Sequence, residues 1–395
     1  MTRSEELFER AAKLYPKGVN SPVRFYQPYP LFFKRGIGGK IEDVDGKIYN
    51  DFVLAYGPLI LGHANPEVIR KVRERIENGT LFGAPVEAEV EFGEIFKKAT
   101  GIEMMRIVNT GTEATMHAIR LALHVTGRRK VLKIKGGYHG THPYNYPSEY
   151  VNEVEFNDLD SALTKLSTRE MGAFIVEPVM GNAGVIPPDD GYLEQIEDAC
   201  RRYGTPFIVD EVITGFRSGF YPYYKKKGIE PDLATFGKIV GGGFPLAVYG
   251  GRERFMKEVR PEGNFPQAGT FSGNPVSITA GLETLRILSK IDYRKLNRLT
   301  DLAIGELSRS GLSVNGLTGM LSIFFMEGTV RNYEDVLASR KDLYFRLFRA
   351  AIDNGIYVPP SYDETIFISF AHNEKDIKDS FSFLGAEAER LWKSS

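Results

Sequence analysis

The sequence predicts an α/β fold, with one large, mostly parallel sheet and a smaller α+β domain beside it. Three observations predict it. Between residues 85 and 275, short apolar runs alternate with amphipathic stretches of helical period, the pattern of a parallel sheet with helices on its faces. Several of those runs are apolar throughout, as strands buried on both faces must be. After residue 290 the character changes: a basic helical stretch, strands near 319–327, a long helix over 334–354 capped by Gly355, strand-like 366–370, and a last helix. This suggests an N-terminal segment (1–55) contributing to the small domain, a large domain (56–285) and a C-terminal small domain (286–395).

The elements follow in order. MTRSEELFERAAKLYPKG reads as an amphipathic helix and lacks the apolar stretch of a signal peptide. Residues 18–33 are rich in proline and aromatics and carry one arginine, Arg24. It serves either as a packing stem with its head in water or as a fork for a substrate carboxylate. In KIEDVDGKIYNDFV, Asp45-Gly46 lies between two strand-like runs and marks a hairpin. Pro66 opens a helix whose Val68, Ile69, Val72 and Ile76 fall at helical spacing. Ile107-Val108 then runs into a helix that starts at Thr110-Gly111-Thr112. Those residues act as a cap or as an anion site, because free N–H groups and the helix dipole point outward there.

The strand in VLKIKGGYHG exits through Gly136-Gly137 onto Tyr138-His139, where the backbone can approach a planar ring closely and Tyr138 can stack on it or simply pack. AFIVEP is a buried strand ending in Glu177. The helix that follows stops at Gly204 and sets Cys200 on its core stripe.

The rest is organised around residues 206–245. Four apolar residues run into Asp210-Glu211, and a second strand, 233–236, delivers Lys238 beside Gly241, Gly242 and Gly243. Ligands of open α/β sheets sit outside the carboxyl ends of the strands. A lysine and a carboxylate brought there on neighbouring strands suit pyridoxal 5′-phosphate (PLP). The amine holds the aldehyde as a Schiff base, and the carboxylate keeps the ring nitrogen protonated. Either feature alone would be ordinary; a buried strand before the lysine and three glycines after it favour the cofactor.

Bulk composition narrows the partners. The chain has 395 residues, 42% of them hydrophobic, and a net charge of −1 with no basic tract, so nothing favours nucleic acid or an anionic membrane. No apolar run reaches transmembrane length. One cysteine excludes an intramolecular disulfide and fits a reducing cytosol, and six scattered histidines make no metal-ligand set.

NTGTEAT, GGYHG, VEPVMGNAG, DEVITGF, FGKIVGGGFP and GTFSGNP, in that order and over essentially the whole chain, resemble the class III aminotransferases of PLP fold type I. The resemblance implies a seven-stranded-type sheet and a homodimer with shared active sites. It makes Lys238, Asp210 and Tyr138 catalytic and implies that Thr110, Gly111 and Thr112 cradle the phosphate, completed by Thr270 from the partner subunit. By the same matching, Val212 packs on the ring face opposite Tyr138, His139 joins the cofactor site, and Glu177 and Asn182 line the phenolic oxygen and substrate pocket. Arg24 matches the carboxylate-binding arginine and Glu364 a pocket glutamate. Asp210 and Lys238 lie 28 positions apart, the family spacing.

SPVRFY, GPLILGHANP and YVPPSYDET most resemble glutamate-1-semialdehyde aminomutase. RFYQPYPLFF and the short segment after GGYHG look more like β-amino-acid transaminases. Two departures bear on activity. The gating insertion that follows YHG in the aminomutase has no counterpart here, and Tyr56 stands where that family has tryptophan. A lid holds a released intermediate and excludes water. Its loss puts a ping-pong transaminase first, moving nitrogen from an ω- or β-amino acid or amine to a keto acid or aldehyde. The aminomutase and an amino-acid racemase are the alternatives.

Overall fold

The computed structural model describes residues 1–395. It opens, after a short helix (Arg3–Ala11), with the antiparallel strands β1 (Phe33–Ile37), β2 (Lys40–Asp43) and β3 (Ile48–Asp51). The hairpin between β2 and β3 turns at Asp45-Gly46. Asp43 Oδ1 accepts from the Asp45 and Lys47 N–H groups at 3.0 and 2.8 Å, so the strand's own carboxylate closes the turn.

The central sheet has seven strands: β4 (Met104–Val108), β5 (Lys130–Ile134), β6 (Val151–Val154), β7 (Met171–Val176), β8 (Phe207–Asp210), β9 (Leu233–Phe236) and β10 (Ala247–Gly251). Their order is β4-β10-β9-β8-β7-β5-β6. Only β10 runs antiparallel to its neighbours. Strands β7 to β10 are buried at every position, which is why their sequences read as unbroken apolar runs. Helix Pro275–Leu288 packs on helices Pro66–Ile76 and Glu87–Thr100.

A three-stranded sheet joins β11 (Ser313–Leu317), β12 (Met320–Phe324) and β14 (Ile366–Phe367), while β13 (Ile356–Tyr357) leaves it to pair in parallel with β3. The C-terminal segment thus completes the N-terminal sheet. The expected continuous helix over 334–354 is instead two, Tyr333–Ala338 and Lys341–Asp353. Ser339 between them is extended, and its hydroxyl accepts from the Phe325 N–H at 3.0 Å. A tertiary hydrogen bond draws the residue out of the helix. Of the strand-like 366–370, only the first two residues pair in a sheet.

The 55–57 corner, where the chain enters the central region, is anchored by the buried Asp51. Its Oδ1 accepts from the N–H groups of Val53 and Leu54 at 2.9 and 3.0 Å, and its Oδ2 lies 2.6 Å from His63 Nε2. Asp51→Ala leaves two buried donors and an imidazole without an acceptor. Urea unfolding should show a loss of about 2–4 kcal/mol; a loss under about 0.5 kcal/mol would show that the corner is held by something else.

Candidate active site

A cavity of about 180 Å³ opens at the carboxyl ends of β7, β8 and β9, walled by Thr112, Tyr138, Glu177, Asp210, Val212 and Lys238 among others. Strand register builds it. Asp210, last in β8, lies opposite Thr235 of β9. The Thr235 hydroxyl donates to Asp210 Oδ1 at 2.9 Å, joined by the Val212 N–H at 3.0 Å, while Oδ2 lies 2.8 Å from His139 Nδ1. Burial holds His139 below the usual histidine range, against the pull of Asp210, so its neutral ring donates from Nδ1. Three donors therefore fix the carboxylate's rotamer and leave it acceptor capacity toward the cavity.

Three residues past Thr235, the chain turns at Lys238, which has φ +47. Its amine donates to the Tyr56 carbonyl at 2.9 Å. Burial lowers its proton affinity first, and the Arg217 charge lowers it further, while Glu364, Glu177 and Asp210 oppose. Val212 sits against the start of helix Gly111–Thr126: a Cβ on Gly111 would come within 3.0 Å of Val212 Cγ1. Only glycine lets the helix N-terminus and the Val212 side chain share that wall.

Glu177 accepts from the N–H groups of Tyr138 and Gly181 at 3.1 and 3.0 Å. Complete burial, reinforced by the Asp210 charge, pushes its carboxyl up to about 8. Tyr56 bridges to the N-terminal loop, its hydroxyl donating to the Val23 carbonyl at 2.5 Å beside the exposed Arg24. Glu364 approaches from the C-terminal segment. Burial and then Asp363 push its carboxyl up to about 7, against the opposing Lys238 charge.

Not every residue singled out from sequence reaches the cavity. Thr110 is exposed and caps its helix, its hydroxyl accepting from the Glu113 N–H at 3.1 Å. Asn182 lies outside the wall. Thr270 belongs to a separate surface hollow with residues 81–85, beside the exposed Phe82 and Phe271. Conversely, the structure adds three residues to the site and its surroundings: Thr115 on the wall, Thr235 bonded to Asp210, and Arg217 bonded to the Gly57 carbonyl. In the sequence, Thr235 had a signal, a lone hydroxyl in the apolar run LATF. Arg217 had none.

The profile of the class-III aminotransferases matches residues 23–145 and 141–372, and the chain belongs to that family. It is 44% identical to the glutamate-1-semialdehyde 2,1-aminomutase of Thermoplasma acidophilum, over 95% of this chain and 96% of that one. That alignment has 405 positions, and 95% of 395 residues is about 375, so about 30 of the relative's positions have no counterpart here. Among solved structures, an omega-transaminase from Sphaerobacter thermophilus superposes with a TM-score of 0.92 at 28% identity, covering 98% of both chains. A β-phenylalanine aminotransferase from Variovorax paradoxus gives 0.90 at 29%, covering 97% of this chain and 93% of its own.

The enzyme's cofactor is pyridoxal 5′-phosphate. The donor set of the cavity fits it: an amine on one side, a carboxylate held by three donors on another, and a helix start where Gly111 and Thr112 have no intrahelical acceptor for their N–H groups.

Lys238→Ala should leave a folded protein that loses turnover and in which borohydride fixes no pyridoxal phosphate to the chain; stoichiometric fixation in that variant would remove the assignment. Glu364 supplies a pH test. Its folded proton affinity is raised, so the folded state holds a proton that the unfolded chain releases between about pH 4.5 and 7. The stability it contributes is full below the ordinary glutamate range and fades as pH rises through about 7. Melting of the cofactor-free protein from about pH 5 to 8 should therefore be flatter for Glu364→Gln than for the parent. Parallel curves would contradict that burial.

Proposed function

We propose that this enzyme moves the amino group of glutamate-1-semialdehyde from C2 to C1, giving 5-aminolevulinate. The observation that carries the reading is the 44% identity, over 95% of this chain and 96% of its relative, to the aminomutase of Thermoplasma acidophilum. The departures in the sequence put transamination first; the full-length similarity reverses that order.

Bound pyridoxal phosphate supplies the group that carries nitrogen and the ring that takes up the electron pair of a broken substrate C–H bond. The protein's residues do the rest. Arg24 takes the substrate carboxylate, with its loop pinned by Tyr56. The Lys238 amine, its proton affinity lowered, moves the proton at the substrate carbon. Asp210 holds the ring N–H, and Tyr138 and Val212 cover opposite faces. Glu177, its carboxyl pushed toward the neutral form by burial, faces the phenolic oxygen, and Glu364 closes the substrate side. Gly111 and Thr112 hold the phosphate, with Thr270 supplied by a second copy of the chain, while Thr110 keeps its helix cap. The hollow around Thr270, rimmed by exposed Phe82 and Phe271, supports that pairing. Nitrogen is given to C1 and reclaimed from C2 through a diamine, so no net oxidation occurs.

A second reading, intermolecular transamination, rests on a specific observation. Besides the roughly 30 missing positions, the segment after Gly140 is pinned close to the sheet: the Asn145 side chain accepts from the His139 N–H at 2.9 Å and its carbonyl from Lys133 Nζ at 3.2 Å. The chain enters β6 at Val151, which leaves little length for a lid. An unheld diamine escapes and a second carbonyl substrate becomes necessary.

The test is to give the loaded enzyme glutamate-1-semialdehyde alone. Sustained formation of 5-aminolevulinate supports the mutase. Turnover that appears only when a keto acid or aldehyde is added, with loss of diamine to solution, would replace it by the transaminase.

A further inference from the structure

Arg217 is fully buried, 1% exposed, and no carboxylate lies beside it. Its Nε donates to the Ile213 carbonyl and its Nη2 to the Gly57 carbonyl, both at 2.8 Å, and the guanidinium lies 4.7 Å over the Phe367 ring. Buried arginines ordinarily pair with an acid, because an uncompensated charge is costly to desolvate. Here two backbone carbonyls and an aromatic face stand in, and burial pushes the guanidinium down to about 9.

The carbonyl it grips ends an unusual turn. Leu54, Ala55, Tyr56 and Gly57 have φ of +46, +55, +65 and +109. Three consecutive left-handed side-chain residues are costly, and such strain persists only where the surroundings over-determine it. Asp51 holds the start of the turn. Arg217 holds its end. Between the two, the Tyr56 carbonyl accepts from the Lys238 amine and the Tyr56 hydroxyl fixes the loop of Arg24. Glycine is required at 57 for space as well as φ: a Cβ there would sit 2.9 Å from Arg217 Nη2.

We infer that Arg217 is a positioning residue of the active site, clamping the left-handed 54–57 turn so that Tyr56 presents its carbonyl to Lys238, while the guanidinium, bonded to the next carbonyl along the chain, adds a positive charge unpaired with any carboxylate to the amine's surroundings. The inference rests on Lys238 being the cofactor lysine, whichever of the two reactions the enzyme performs. The ionisable groups facing that amine are Arg217, which works against its proton, and Asp210, Glu177 and Glu364, which favour it to the extent that they are ionised. Arg217 alone among them keeps the amine's proton loosely held.

Two variants separate charge from clamp. Arg217→Met removes both and leaves a neutral side chain of similar length. The pH midpoint of the visible band of the cofactor joined to Lys238 should rise by about half a unit or more, with a fall in kcat. Arg217→Lys keeps the charge but cannot span two carbonyls. Its midpoint should stay within about 0.2 unit of the parent, while kcat falls roughly tenfold or more. A merely structural arginine would lower the melting temperature and leave the midpoint where it was; an unmoved midpoint in Arg217→Met overturns the inference. If the parent itself forms no such band, the Lys238 assignment fails instead. Should neither variant fold, hydrogen exchange of the parent decides. The Tyr56 and Gly57 amides must exchange as slowly as strand amides, and exchange at loop rates would mean that nothing clamps the turn.

Discussion

The pairing of Asp210 with Thr235 across β8 and β9 is the contact on which the rest of this site depends. It fixes the register of two fully buried strands, and that register decides which residues emerge at the sheet's carboxyl edge. A slip by one residue would turn Asp210 toward the opposite face and bury a carboxylate among apolar side chains. Because Thr235 Oγ1 satisfies one oxygen and His139 the other, the carboxylate is held at the edge rather than expelled to solvent. Lys238 then follows at a fixed distance along the chain, and its left-handed φ swings the amine back over the cavity.

Around that contact the protein concentrates groups that burial disfavours. Glu177 and Glu364 are pushed toward their neutral forms, and the Lys238 amine is held less basic than usual. Left-handed residues at 54–57 and at Lys238 add backbone strain. Such features cost stability and cluster where chemistry needs them. The continuous apolar core, which runs from Tyr26 through the central sheet to Leu391, is what offsets them.

Much of this was legible in the sequence. Strands that are buried on both faces announce themselves as unbroken apolar runs, so 206–209 and 233–236 could be placed and their terminal Asp210 and Lys238 brought together. Helix Pro66–Ile76 carried its proline at the start, and Gly204 marked the end of Tyr192–Tyr203. What escaped reading depends on contacts between distant segments. Ser339 leaves its helix because of Phe325. Leu-Ala-Tyr carries no left-handed signature, and the turn at 54–57 exists because Asp51 and Arg217 grip its two ends. Arg217 itself looks like a surface charge until β14, the Gly57 carbonyl and the Phe367 ring close over it. Thr110 shows a different limit: a hydroxyl at a helix start suits a cap and a phosphate equally, and its side chain here is engaged as the cap.

Whether nitrogen ends on the same molecule or on another depends on the lid segment and the substrate pocket, but both reactions need the same electron sink. The most direct test of the account is therefore nitrogen NMR of ring-labelled pyridoxal phosphate bound to this protein. A protonated ring nitrogen with a one-bond proton coupling, lost in Asp210→Ala, is the predicted result. An unprotonated ring nitrogen in the parent enzyme at neutral pH would contradict it.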